Sequence, residues 1–107
     1  MKKNELKKLI SKIFIKHKLS KNHANICAEA LVNAELVGAP SHGLSRLKMY
    51  CDRINKKVIN PRPKIKIKKI TQSITQIDAK NSIGFVAADI GIKKAIESAK
   101  ETGIGLV

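Results

Sequence analysis

A chain of 107 residues with 22 basic and eight acidic side chains, for a net charge of +14, has the length of one domain. The charge permits contact with polyanions, but only three basic residues are arginine and only three residues are aromatic, so side chains that read or stack on bases are scarce. No apolar run reaches the ~20 residues that cross a bilayer. We therefore expect a cytoplasmic protein without a specific nucleic-acid or membrane partner.

Apolar residues at helical spacing predict two helices at the start of the chain. The first covers Asn4–His17, and the second runs from an N-cap at Ser20 to Val37, with Gly38 as its stop. The first helix is basic and amphipathic. It could pack against the second helix, lie on a membrane surface or act as a transit peptide, and the sequence leaves these alternatives open.

The two cysteines, Cys27 and Cys51, fall on predicted helices and lack the spacing of a metal site or a redox motif. We expect both to be small buried residues in a reducing compartment, rather than a disulfide pair. No metal site is predicted.

The second half of the chain alternates between strand and helix patterns. Strict alternation of lysine and isoleucine over 64–68 predicts a strand with one buried and one solvated face. The overall prediction is a mixed α/β fold, with a helical region at 1–58 and the start of an α/β region, cut short, at 59–107. The elements predicted after the rigid connector 60–63 are the strand 64–68, a turn at 71–73, a strand 74–78, a helix 85–101 and a terminal strand 104–107.

A third helix is predicted from an N-cap at Ser41 to about residue 57, and it carries the candidate site. At 100° per residue, His42, Arg46 and Tyr50 share one of its faces. A histidine exchanges protons near neutral pH, its neutral form is favoured at a helix N-terminus, and a guanidinium matches a carboxylate. This chemistry suits a 2-oxo or 2-hydroxy acid. Spacing alone favours a simpler interpretation, in which Ser41 is a capping serine, His42 a surface histidine and the arginines are solvated.

The same stretch resembles the signature of the malate/L-lactate dehydrogenase family, which lacks a Rossmann fold. The resemblance implies that His42 exchanges a proton with the substrate oxygen, and that Ser41, Arg46 and Tyr50 orient the substrate. Glu35 stands where the family usually has aspartate. The matching positions are Ala34-Glu35, Gly38, Ser41-His42-Gly43, Arg46, Tyr50, Asn60-Pro61, Gly84 and residues 99–107.

The resemblance also implies NAD or NADP as cofactor, a small 2-hydroxy or 2-oxo acid as substrate, and a homo-oligomer for a full-length member. No residue of this chain matches the family's nicotinamide-binding positions, so these are expected beyond Val107. The expected structure is a partial domain of an L-sulfolactate-dehydrogenase-like fold, inactive alone. Two alternatives remain: a small basic module that binds nucleic acid or another polyanion, and a non-functional gene fragment.

Overall fold

The computed structural model describes residues 2–107, which form two compact units that meet in sequence between Arg62 and Pro63. The mixed α/β prediction, with three helices, a hairpin and a further helix, is confirmed. The first unit contains α1 (Lys3–Lys16), α2 (Lys21–Leu36) and α3 (Leu47–Asn55), with 3-10 turns at Pro40–His42 and Leu44–Arg46. The second unit contains β1 (Lys66–Lys69), β2 (Thr75–Asp78) and α4 (Gly84–Thr102).

The predicted apolar stripes of α1 and α2 form the core of the first unit. Ile10 and Phe14 of α1 and Leu31 of α2 are fully buried. The buried Ser11 hydroxyl donates to Asn25 Oδ1 at 2.7 Å, so this polar group has a partner inside the interface. Packing between the two helices therefore accounts for the amphipathic pattern of α1. Among residues 2–107 there is no helix with the length and apolar character that a transmembrane span requires.

Both predicted ends of α2 are confirmed to within a residue. The Ser20 side chain accepts a hydrogen bond from the His23 N–H at 3.2 Å, as an N-cap does. At the other end Gly38 has φ +79°, and the Ala39 N–H donates to the Ala34 carbonyl at 2.9 Å. This is a Schellman motif, which requires a residue that tolerates the left-handed region.

The predicted start of the third helix is wrong. Helix α3 begins at Leu47 with Arg46 as its N-cap, and Ser41 caps no helix. The intervening chain forms two 3-10 turns separated by Gly43, whose φ of −103° and ψ of −131° interrupt any helix there. Because His42 lies outside α3, the helical-wheel argument does not place it, and the helix dipole gives no reason to favour its neutral form.

The buried side of α3 includes Cys51, as predicted. Cys51 and Ile54 are both buried, and the helix ends at Asn55, close to the predicted end. Both cysteines are free and buried, as expected. Burial raises the pKa of the Cys27 thiol to about 12. The pKa of Cys51 is also raised, by burial and by the neighbouring Asp52 carboxylate.

Strands β1 and β2 form the predicted antiparallel hairpin, with Ile67 opposite Ile77. The Thr71 hydroxyl accepts hydrogen bonds from the backbone N–H groups of Ser73 (3.2 Å) and Ile74 (3.1 Å), which fixes the turn. The expected buried face of the first strand is not formed. All four residues of β1 are exposed, and Ile67 keeps 47% of its surface accessible, because the sheet has only two strands.

After α4 the chain returns beside the hairpin in parallel orientation. Leu106 pairs with Ile74, and its carbonyl accepts the Thr75 N–H at 2.9 Å. The predicted strand 104–107 is reduced to this single bridge, although the β-α-β order is as expected. Gly105 passes so close to α4 that a Cβ there would overlap the Ala95 backbone.

Candidate functional site

The chain between α2 and α3, residues 39–46, forms what we call the Ser-His-Gly loop. Within it the Ser41 hydroxyl lies 2.9 Å from Nδ1 of His42, and both residues are exposed. When Nδ1–H donates to this hydroxyl, Nε2 is the nitrogen that can accept or release a proton. The contact with Ser41 thus restricts the orientation of the imidazole ring.

Arg46 is tied to the same backbone. Its Nε–H donates to the Ser41 carbonyl oxygen at 2.7 Å, and its Nη1 lies 3.9 Å from the Met49 sulfur. The Nε edge of the guanidinium is therefore used within the loop. The edge formed by the two Nη groups is the one that can pair with a carboxylate in bidentate fashion.

Short-range hydrogen bonds stiffen the loop further. The Ser45 hydroxyl donates to the Pro40 carbonyl at 2.9 Å. The Arg46 N–H donates to the Gly43 carbonyl at 3.0 Å. The first bond ties the second 3-10 turn to the first, and the second bond closes the second turn, so the loop has a defined backbone that carries both His42 and Arg46.

Glu35, near the end of α2, also contacts the loop. Its Oε1 accepts a hydrogen bond from the Leu44 N–H at 2.8 Å. Gly43 packs against the same carboxyl group, and a Cβ at Gly43 would lie 2.5 Å from Oε1. The resemblance marked Glu35 without giving it a role. The sequence did contain one signal for this contact. Glu35 is a carboxylate just before the helix stop at Gly38, and the first N–H groups of the turns that follow lack partners within those turns.

Tyr50 lies in the first turn of α3 and is half-buried. Arg46 is the N-cap of this helix and has helical backbone angles, so the two residues are separated by one helical turn. The predicted proximity of Arg46 and Tyr50 therefore has a structural basis, whereas His42 is linked to Arg46 through Ser41, in the loop and not on a helix face.

The solvent side of α3 carries an ion pair. Lys48 Nζ lies 2.8 Å from Asp52 Oδ2, and this hydrogen bond lowers the pKa of the Asp52 carboxyl. The pair neutralises Asp52, the only acidic residue of α3. Within residues 2–107 no cluster of three or more histidine, cysteine or acidic residues is arranged to bind a metal ion.

A cavity of about 540 Å³ lies elsewhere in the first unit, between the ends of α1 and α3. His17, Ile54 and Asn60 are among its lining residues, and none of the four predicted site residues is. The Ser-His-Gly loop is therefore separate from this cavity, and its Ser41 and His42 are exposed.

Comparisons with known proteins identify the family to which this arrangement belongs. The profile of the malate/L-lactate dehydrogenase family matches residues 1–107. The malate/(S)-sulfolactate dehydrogenase of Methanothermus fervidus is 40% identical over 103 residues, which are 96% of this chain and 30% of that protein.

Solved structures agree. Malate dehydrogenase from Pyrococcus horikoshii OT3 superposes with a TM-score of 0.92 at 37% identity, over 97% of this chain and 30% of that one. Sulfolactate dehydrogenase from Methanocaldococcus jannaschii gives a TM-score of 0.94 at 34% identity, over 99% of this chain and 31% of that one. The chain thus spans about 30% of the length of these relatives. It belongs to the malate/L-lactate dehydrogenase family.

Proposed function

We propose that this chain supplies the amino-terminal part of the substrate site in an NAD(P)-dependent oxidoreductase acting on 2-hydroxy and 2-oxo acids, such as malate or lactate. The observation that carries the proposal is the continuous contact from Arg46 to Ser41 to His42, with bonds of 2.7 and 2.9 Å. It brings a carboxylate-binding group and a proton-exchanging group into one loop. A 2-oxo acid presents a carboxylate and a carbonyl oxygen on adjacent carbons, which requires such a pair.

In the direction of reduction, the protonated imidazole of His42 gives its Nε2 proton to the C2 oxygen of the substrate. The Nδ1–H remains bonded to the Ser41 hydroxyl, so the ring ends neutral with its orientation unchanged. Arg46 pairs with the substrate carboxylate through its Nη groups and fixes C2 beside the imidazole. Oxidation of the hydroxy acid reverses these proton movements. Tyr50 serves as a further orienting group.

When bound, NAD(P)H would supply the hydride to C2. We expect its binding residues outside residues 1–107, because no residue of this chain matches the nicotinamide-binding positions of the family. We further propose that the whole enzyme is a cytoplasmic homo-oligomer. On this account the isolated chain has no dehydrogenase activity.

The test uses a chimera in which residues 1–107 replace the matched segment of the Pyrococcus horikoshii malate dehydrogenase, chosen for its TM-score of 0.92. We expect the chimera to oxidise malate with NAD or NADP and to reduce the corresponding 2-oxo acid, while the 107-residue chain alone does neither. NADH oxidation by the isolated chain, above the level of its His42→Ala variant, would contradict the proposal. So would a folded chimera without activity.

The net charge of +14 and the exposed lysines of β1 favour one competing function, non-specific binding to a polyanion. Such binding weakens steeply with salt, because counterions are released from the polyanion. It would also survive removal of His42 and Arg46. Binding of the chain to duplex DNA between 50 and 200 mM salt, with both single alanine variants as controls, separates the two functions.

A further inference from the structure

We propose that Glu35 is a positioning residue for His42 and Arg46, and that it acts as an anionic clamp on the backbone between them. This inference rests on the proposed function. The Glu35 carboxylate reaches from α2 across to the Ser-His-Gly loop and accepts the Leu44 N–H at 2.8 Å. Leu44 lies between the two functional residues and begins the second 3-10 turn.

The clamp is anchored at both ends. Glu35 belongs to the last turn of α2, where the Gly38 N–H donates to the Glu35 carbonyl at 3.2 Å in the Schellman motif. The side chain of Glu35 is half-buried, and Gly43 packs directly on it, where a Cβ would come within 2.8 Å of the Cγ and Cδ atoms. The absent side chain at Gly43 thus makes room for the carboxylate.

A carboxylate is a good acceptor for the Leu44 N–H. The first N–H groups of a helical turn have no partner within the turn, and a carboxylate bonds them more strongly than a neutral acceptor does. By capping Leu44, Glu35 fixes the point at which the chain turns from His42 towards Arg46. The Arg46-to-Ser41 bond spans this same point, so loss of the cap loosens both functional side chains together.

The structural part of the proposal is tested by NMR on the 107-residue chain. We expect the Leu44 amide to be protected from hydrogen exchange. In Glu35→Gln the protection remains, whereas in Glu35→Ala the protection is lost. The imidazole nitrogen resonances of His42 then change in Glu35→Ala but not in Glu35→Gln. A Leu44 amide that exchanges freely in the unmodified chain, or His42 resonances unaffected by Glu35→Ala, would overturn the clamp.

The catalytic consequence is tested in the chimera. We expect Glu35→Ala to lower kcat/KM by about tenfold to a hundredfold, mainly through kcat, and Glu35→Gln to restore most of it. Ser11→Ala is the matched control, because it removes a hydrogen bond between α1 and α2, outside the Ser-His-Gly loop. A Ser11→Ala variant that loses as much activity would show that Glu35 acts through general stability, and would overturn the positioning role. An unmodified chimera without activity refutes the proposed function instead, and the NMR outcome then decides whether Glu35 positions His42.

Discussion

Arg46 Nε donates to the backbone carbonyl of Ser41 at 2.7 Å, although the two residues lie in different 3-10 turns on either side of Gly43. The bond commits one edge of the guanidinium to the loop itself. In the proposed function, the substrate carboxylate pairs with the Nη edge of Arg46, and the loop that holds this edge also carries His42.

Arg46→Lys should therefore be costly despite keeping the charge. A lysine ammonium cannot bond the Ser41 carbonyl and offer a planar two-point contact to a carboxylate at the same time. We expect kcat/KM of the chimera to fall by about tenfold to a hundredfold, the value of one or two charged hydrogen bonds. Arg62→Lys is the matched control, since Arg62 Nε also donates to a backbone carbonyl, that of Lys18 at 2.9 Å. Equal losses in the two variants would contradict a special role for Arg46.

Ser41→Ala removes the partner of His42 Nδ1. The loss of one net hydrogen bond predicts a fall of about two- to twelvefold in kcat, with KM nearly unchanged, because the carboxylate contact of Arg46 uses only the Ser41 backbone. Ser41→Thr keeps the hydroxyl and should retain most of the rate. Steady-state kinetics of the chimera measure both. An alanine variant as fast as the parent would show that the hydroxyl does not orient the ring.

Gly43→Ala should destabilise the first unit by about 1–3 kcal/mol, because its Cβ would overlap the Glu35 side chain. Urea unfolding measures the loss. In a Glu35→Ala background the same change should cost much less, which a double-mutant cycle reveals. Gly84→Ala is the control, because a Cβ at Gly84 would have no atom within 4 Å. This substitution should be neutral or slightly stabilising. Additive effects of the Gly43 and Glu35 changes would refute the contact.

Cys27 should make the protein sensitive to alkali. Its thiol pKa is raised from 9.0 to about 12 in the folded chain, so the native state stays protonated while the unfolded state ionises. Below pH 9 the thiol is protonated in both states, so the stability is unaffected. As the pH rises from 9 through the folded pKa of about 12, the free energy of unfolding falls. The free energy of unfolding, relative to Cys27→Ala, should fall by about 1.4 kcal/mol per pH unit above 9. Parallel curves for the two proteins in urea titrations at pH 7.5 to 10.5 would contradict this burial effect.

Much of the fold could be predicted because its signals are local. The stripe around Ile10 and Phe14, the cap at Ser20 and the stop at Gly38 each follow from helical periodicity or backbone freedom, and the structure confirms them. The start of α3 could not be predicted in this way. Serine is a common N-cap residue, so the sequence favours a cap at Ser41. It does not reveal that the Ser41 hydroxyl instead contacts the His42 ring.

For the candidate site too, the sequence predicted some features and not others. Residue types and the family resemblance identified His42 and Arg46 as candidates. The contacts that join them depend on tertiary structure. Glu35 reaches Leu44 only because α2 ends in a Schellman motif that turns the loop back towards it. Likewise, the exposure of Ile67 follows from the number of strands in the sheet, which the alternating pattern of β1 does not encode.

The most direct test of the account is the effect of His42→Ala on malate oxidation by the chimera. Loss of general acid–base help predicts a fall in kcat of about 10²–10⁴, with malate binding largely kept because Arg46 is intact. The salt dependence of the remaining activity should match that of the parent. A His42→Ala chimera that keeps its kcat within about threefold of the parent would contradict the account, since proton exchange at His42 is its central claim.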